Sequence, residues 1–315
     1  LRACSVFYLH LLLGAGLTIV VTYAGLLDLG YIAFFAIGAY TYALLDQSMG
    51  LPFFVALPVG ALISALFGLV LGFPTLRVRG DYLALVTLGF GEIVRVLLLN
   101  IWGPQGIPGI KPPLSVAFVG GIDNLYLLFY VVAFVPVPVA LLILSRMDRS
   151  KLARTWFAIR DNETAAKSCG IDSVKWLLLA FALGTTFAGF AGVIFAGIQR
   201  YVSPGSFVLD ESIFVLSIVV IAGGRSLWRL VIAAALLSFL PEVLRGLVDY
   251  RMLIYGGLLS LFVVADELLK GFFQSRHAGR AVPSSPLALL DGTRPVPSIL
   301  SAKAGGSDWM LTVKN

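Results

Sequence analysis

Two pairs of opposite charge stand out in a chain otherwise poor in charge: Glu92 with Arg95, and Glu242 with Arg245. The members of each pair are three residues apart, which places them on one face of a helix within bonding reach. Both pairs lie inside apolar runs, LGFGEIVRVLL (88–98) and LSFLPEVLRGL (237–247), whose likeness at an offset of 150 positions suggests an internal repeat. An ionised group within hydrocarbon costs at least about 2.5 kcal/mol, so these groups are expected to face partners, water or the bundle interior, and not lipid. There they can bracket a zwitterion, with Arg toward its carboxylate and Glu toward its ammonium. Equally, they can lock helices together or reach toward an interface.

Other chemistry is thin. His10 and His277 stand at opposite ends of the chain, no Ser, His and Asp constellation is visible, and carboxylates are too few for a catalytic pair, so no enzyme is expected. Cys4 and Cys169 have no partner at metal-ligand spacing and read as packing residues, without metal or disulfide. The glycine clusters Gly89-Phe90-Gly91 and Gly223-Gly224 lack the spacing of a nucleotide fingerprint, and no Gly-Lys pair exists to form a P-loop. No cofactor is expected in this chain, which cannot by itself bind ATP in that way.

The elements that hold these residues follow from hydropathy. Of 315 residues 59% are apolar and 13% charged, with a mean hydropathy of +0.94; a soluble domain carries about 25% charge. Runs bounded by Gly, Pro and charge place membrane spans near 5–24, 31–46, 52–72, 82–100, 125–145, 177–198, 211–224, 230–248 and 251–268. The fold class is therefore an all-α polytopic helix bundle of about 8–10 spans. The runs 31–46 and 211–224 are short enough to be broken or re-entrant. Gly68 and Gly72, and the row Ala188, Gly192 and Ala196, have the small-xxx-small spacing that lets helix backbones meet closely in lipid.

Charge sets the orientation. Segment 146–176 holds Arg146, Arg149, Lys151, Arg154, Arg160, Lys167 and Lys175, and the excess places it in the cytoplasm. Counting outward puts Arg77, Arg79, Arg225, Arg229, Lys270, Arg276 and Arg280 on the same face, and 101–124 outside. The net charge of +6 is thus a set of membrane anchors, and nucleic acid is not an expected partner. The chain opens with Leu1, and its first apolar stretch reads as a span and not a signal peptide. Three parts result: a transmembrane domain over 1–270, a Pro, Ser and Gly-rich cytoplasmic linker or tail over 271–308, and a strand-like end at 309–315.

Within the basic loop Asp161 can cap a short helix, Ala165 and Ala166 favour it, and Gly170 suits the left-handed position that ends it. On local chemistry alone, a plain connecting helix reads as well. The stretch AIRDNETAAKSCGI (158–171) resembles the loop by which ABC importer permeases dock on their ATPases, with Thr164 where Glu is usual and Glu163 one place early. That shift is similar to the branched-chain amino acid permeases. YAGLLDLGYIAFFAIGAY (23–40), LRVRGDYLALVTLGFGEIVRVLL (76–98), FALGTTFAGFAGVIFA (181–196), YVSPGSFVLDESIFVLSIVVIAGG (201–224) and LPEVLRGLVDYRMLIYG (240–256) together resemble the LivM-like family. The chain departs from it at 100–107 and 266–271.

The resemblance implies ATP-driven uptake of branched-chain amino acids across a bacterial inner membrane. It also implies partners: a second homologous permease, ABC ATPase subunits and a periplasmic binding protein. Arg160, Glu163, Ala165, Ala166 and Gly170 become the expected ATPase-coupling residues. WMLTVKN (309–315) resembles the opening strand of an ABC ATPase, as in a fused permease and ATPase. A urea or short-chain amide importer permease, and an ion-gradient transporter, are the alternative readings.

Overall fold

A backbone N–H or C=O without a partner costs several kcal/mol in hydrocarbon, and a helix satisfies nearly all of its own. The computed structural model describes residues 2–75, 81–112, 136–223 and 227–243, and the apolar runs in it are helices. They are α1 (Arg2–Thr18, continued as a π-helix, Ile19–Tyr23), α2 (Tyr31–Met49), α3 (Phe53–Thr75), α4 (Asp81–Trp102) and α5 (Pro136–Asp148). Then follow α6 (Lys151–Asp161), α7 (Glu163–Ser168), α8 (Ser173–Gln199), α9 (Leu209–Ala222) and α10 (Leu227–Val243). A two-stranded antiparallel ribbon, β1 (Ile107–Pro108) on β2 (Tyr201–Val202), ties the ends of α4 and α8.

Seven expected spans coincide with α1, α2, α3, α4, α8, α9 and α10. The run 125–145 overlaps α5, of which only the part from Pro136 is described. The span 251–268, Arg77, Arg79, Arg225 and Arg245, and the parts 271–308 and 309–315, lie outside the described residues. Among the described residues five helices are long and apolar enough to cross a membrane. One of them is 204–222, where a 3-10 turn at Pro204–Ser206 leads into α9 and supplies the length that 211–224 lacked.

α8 is the centre of the bundle, antiparallel to α3 and crossing α2, and small residues set its approach. Beside Gly192, a Cβ would meet the backbone of α2 at Ala39 N (2.6 Å) and Phe35 O. Gly189 meets Ser64 and Ala61 of α3, and Gly68 and Gly72 of α3 lie against Thr185 and against Leu178 and Phe181. Ala188 and Ala196 are fully buried on the same helix. Hydrogen bonds cross where the backbones touch: Ser64 Oγ donates to Phe34 O (3.0 Å) and Tyr31 Oη to Gly184 O (2.7 Å).

Two departures from the sequence reading matter for the site. Asp161 does not cap the loop helix; it ends α6, and Asn162 is the cap. A full helix, α6, precedes the short one: Ala153, Trp156 and Ile159 are buried at intervals of three while Lys151, Arg154 and Arg160 stay exposed.

Replacing Gly192 by Ala forces a methyl into the α2 backbone, and we expect a loss of about 1–3 kcal/mol. Gly89→Ala, where a Cβ meets nothing within 4 Å, leaves stability unchanged or slightly raised. Thermal unfolding of the two variants in one detergent measures the contrast.

Candidate functional site

The end of the bundle where α1 stops and α8 starts is built around α6. Trp156 is completely buried there: its Nε1 donates to Trp176 O at the start of α8 (2.7 Å), and its ring stacks on Tyr23 at the end of the π-helix (centroids 6.5 Å apart, planes 19° apart). Phe157 meets the edge of the same Tyr23 ring. Arg160, on the last turn of α6, donates from its guanidinium to Thr22 O. A cation at the carbonyl end of a helix is favoured by the dipole as well as by the hydrogen bond. α6 is thus fixed to the ends of two long helices by one indole, one phenol and one guanidinium.

On that platform stands α7. The Asn162 side chain accepts the Ala165 N–H (3.0 Å), and Ser150 caps α6 in the same manner. Glu163 in its first turn and Lys167 in its last agree with the dipole and pair at 2.7 Å. The end is closed by Ile171 N–H on Ala166 O (3.1 Å), with Gly170 at φ +81° in the left-handed region that favours glycine. Ala166 alone is buried among its residues; Thr164, Ala165, Lys167, Ser168, Cys169 and Gly170 are exposed and together form an outward face. Asp172 then caps α8 through Lys175 N–H (3.3 Å), and the Lys175 ammonium at 2.9 Å holds its carboxyl below the usual range. That capping carboxylate is ionised at neutral pH, and its contribution is lost only as pH falls through the lowered value.

Far from this end, Glu92 and Arg95 pair along α4, Arg95 Nε donating to Glu92 Oε2 at 2.9 Å. The pair is not covered: the Glu92 side chain is 49% exposed and that of Arg95 30%. Glu92 lies at the rim of a cavity of about 180 Å³ lined also by Leu29, Ile32, Leu88, Gly91, Phe207 and Leu209. That is smaller than the roughly 300–1,000 Å³ of drug-sized sites, and it suits a small solute with an apolar part. Glu242 falls in the last turn of α10 with its side chain undescribed, and Arg245 lies outside, so the second pair cannot be set beside the first.

The sequence showed no Ser, His and acid grouping, yet the fold assembles one. His10 Nε2 lies 2.7 Å from Glu211 Oε1, its Nδ1 lies 3.0 Å from Ser238 Oγ, and its ring rests on Phe214. It joins α1, α9 and α10 across more than 200 residues of chain, which no local spacing could reveal. Gly68, Gly72 and Gly192 sit in helix contacts, Gly68 and Gly72 against α8 and Gly192 against α2.

Comparison with known proteins places this geometry. The family described as branched-chain amino acid transport system / permease component matches residues 1–263. The chain belongs to that family. It is 44% identical over 280 residues to the high-affinity branched-chain amino acid transport system permease protein LivM of Salmonella typhimurium, an overlap of 81% of this chain and 66% of the relative. With the Escherichia coli protein of the same name it shares 45% over the same lengths. A probable branched-chain amino acid transport permease protein LivM of Methanocaldococcus jannaschii is 26% identical over 63% of this chain and 57% of its own. The chain thus spans just under two thirds of the length of the first two relatives. No solved structure matches. This family member is a multi-pass membrane protein of the helical class, and five helices among the described residues are long and apolar enough to cross a membrane.

Loss of the Asn162 cap should free the start of α7 without disturbing the spans. Asn162→Ala is expected to cost the helix about 1 kcal/mol, and Asn162→Asp to keep it. Hydrogen exchange at the Ala165 amide, several-fold faster in the first variant only, is the measurement.

Proposed function

We propose that this chain is the membrane-spanning permease subunit of an ATP-driven importer of branched-chain amino acids. It works beside a second homologous permease, on ABC ATPase subunits, and receives its substrate from a periplasmic binding protein. Loop 146–176 and the C-terminal end face the cytoplasm of a bacterial cell, and the chain itself carries no catalytic residue and needs no cofactor. The observation that carries this reading is α7: a capped helix with one buried residue and an open outer face, mounted on a platform bonded to two spans. The names of the three relatives described above supply the substrate class.

In this reading Glu163, Ala165 and Gly170 lie on or beside the ATPase contact, Ala166 seats the helix, and Arg160 transmits its movement. ATP binding draws α7 with the closing ATPases, and the permease turns between two states that each partner binds unequally. The pair Glu92–Arg95 belongs to the pathway side of α4. An open ion pair is costly against lipid, whereas a zwitterion satisfies both of its charges.

The test is the importer purified with its neighbouring subunits and placed in liposomes, where leucine and its binding protein should stimulate ATP hydrolysis and leucine should accumulate. Gly170→Ala and Gly170→Trp carry the same backbone strain, but only the indole projects into the open space beside α7. We expect Trp to uncouple hydrolysis from uptake and Ala largely to spare it; equal behaviour removes the docking role. Arg95→Gln in an assembled complex should lower uptake about tenfold or more, the scale of a charged hydrogen bond. Uptake at normal affinity and rate ends the substrate-contact role.

A further inference from the structure

Between the platform and the cavity runs a stretch of chain that is not helical. α1 loosens into its π-helix, Ala24 and Leu26 still donate back to Ile19 O and Val20 O (3.1 and 3.0 Å), and helix resumes only at Tyr31. At its lower end Gly25, at φ +73°, lies under the stem of Arg160, so closely that a Cβ would stand 2.7 Å from Arg160 Cγ. The Arg160 guanidinium holds Thr22 O beside it. At its upper end the Leu29 N–H donates to Thr87 Oγ1 of α4 (3.1 Å), and Thr87 Oγ1 donates in turn to Ala84 O. Gly30 presses on the Thr87 carbonyl and on Gly91, and its N–H is held by Asp28 Oδ1 (2.9 Å). Leu29, Leu88, Gly91 and Glu92 then form one wall of the cavity.

From these contacts we infer that residues 24–30 are a strut that carries movement of the coupling platform to α4, with Arg160 and Thr87 as its two positioning residues. Non-helical backbone is tolerated inside a membrane bundle where protein covers it; here Asp28 and Gly30 are buried, Gly30 against Thr87 of α4, while Gly25 and Leu27 are exposed. Clamped at both ends, the strut has few ways to absorb a displacement. A shift of α6 at Thr22 and Gly25 must reappear at Thr87, five residues before Glu92 on α4. Neither positioning residue needs to touch the solute.

The inference rests on the importer reading, and the experiment separates the two. In liposomes holding the whole importer and its binding protein, leucine taken up and ATP hydrolysed are measured together. Thr87→Val removes the hydroxyl at nearly constant shape, and we expect leucine taken up per ATP to fall about fivefold or more, while Thr87→Ser keeps the ratio. Arg160→Gln should produce the same fall, and the double variant should be no worse than the poorer single one, as for two ends of one linkage. An unchanged ratio in Thr87→Val, or losses that multiply in the double variant, overturns the strut. If Thr87→Val does not assemble, Thr87→Ala decides: a fall supports the strut and an unchanged ratio overturns it. Wild-type liposomes with neither uptake nor leucine-stimulated hydrolysis overturn the importer reading itself.

Discussion

Lipid tails are as apolar as the side chains that face them, so burying leucine draws two membrane helices together hardly at all. What remains is close contact of backbone with backbone, and the bundle depends on it at α8. Where Gly192 meets α2 no side chain intervenes, where Gly189 meets α3 only the small Ser64 side chain stands beside the Ala61 backbone, dispersion acts at short range, and carbonyls come within reach of Ser64 and Tyr31. The larger aromatics gather around these contacts: Phe34 meets Phe181 edge-on, and Phe35, Phe195 and Phe207 form a mutual cluster.

Against that column of contacts the two candidate sites differ in character. The platform is aromatic and singly bonded at each point, a docking of α6 onto helix termini. α4, by contrast, leaves much of its length uncovered, with Tyr82, Leu85, Ile93 and Ile101 exposed beside the Glu92–Arg95 pair. A mixed face of this kind, apolar with one satisfied charge pair, is what a helix shared between subunits or lining a path requires.

The sequence disclosed the long-range plan because hydropathy is a property of runs: span limits at 31, 53, 81 and 173 all lie within a few residues of the apolar boundaries. The glycine at 170 was legible because only the left-handed turn explains a glycine there. α6 was hidden by its charge, since seven basic residues over 146–176 drowned an apolar period carried by Ala153, Trp156 and Ile159. The cap was misread by one position because Asp161 and Asn162 are adjacent and equally suited, and only the backbone turn at Asn162 decides between them. The strut left no sequence signal beyond its glycines, and the meeting of His10 with Glu211 and Ser238 left none at all.

That last meeting bears on how the molecule is made. Ser238 follows His10 by 228 positions. At roughly 5–20 residues per second, tens of seconds of synthesis separate them. Until α9 is made the imidazole has neither of these two partners, although α1 can already rest on α8. The contacts that join α1 to α9 and α10 therefore form only once both helices exist, around a residue synthesised long before them.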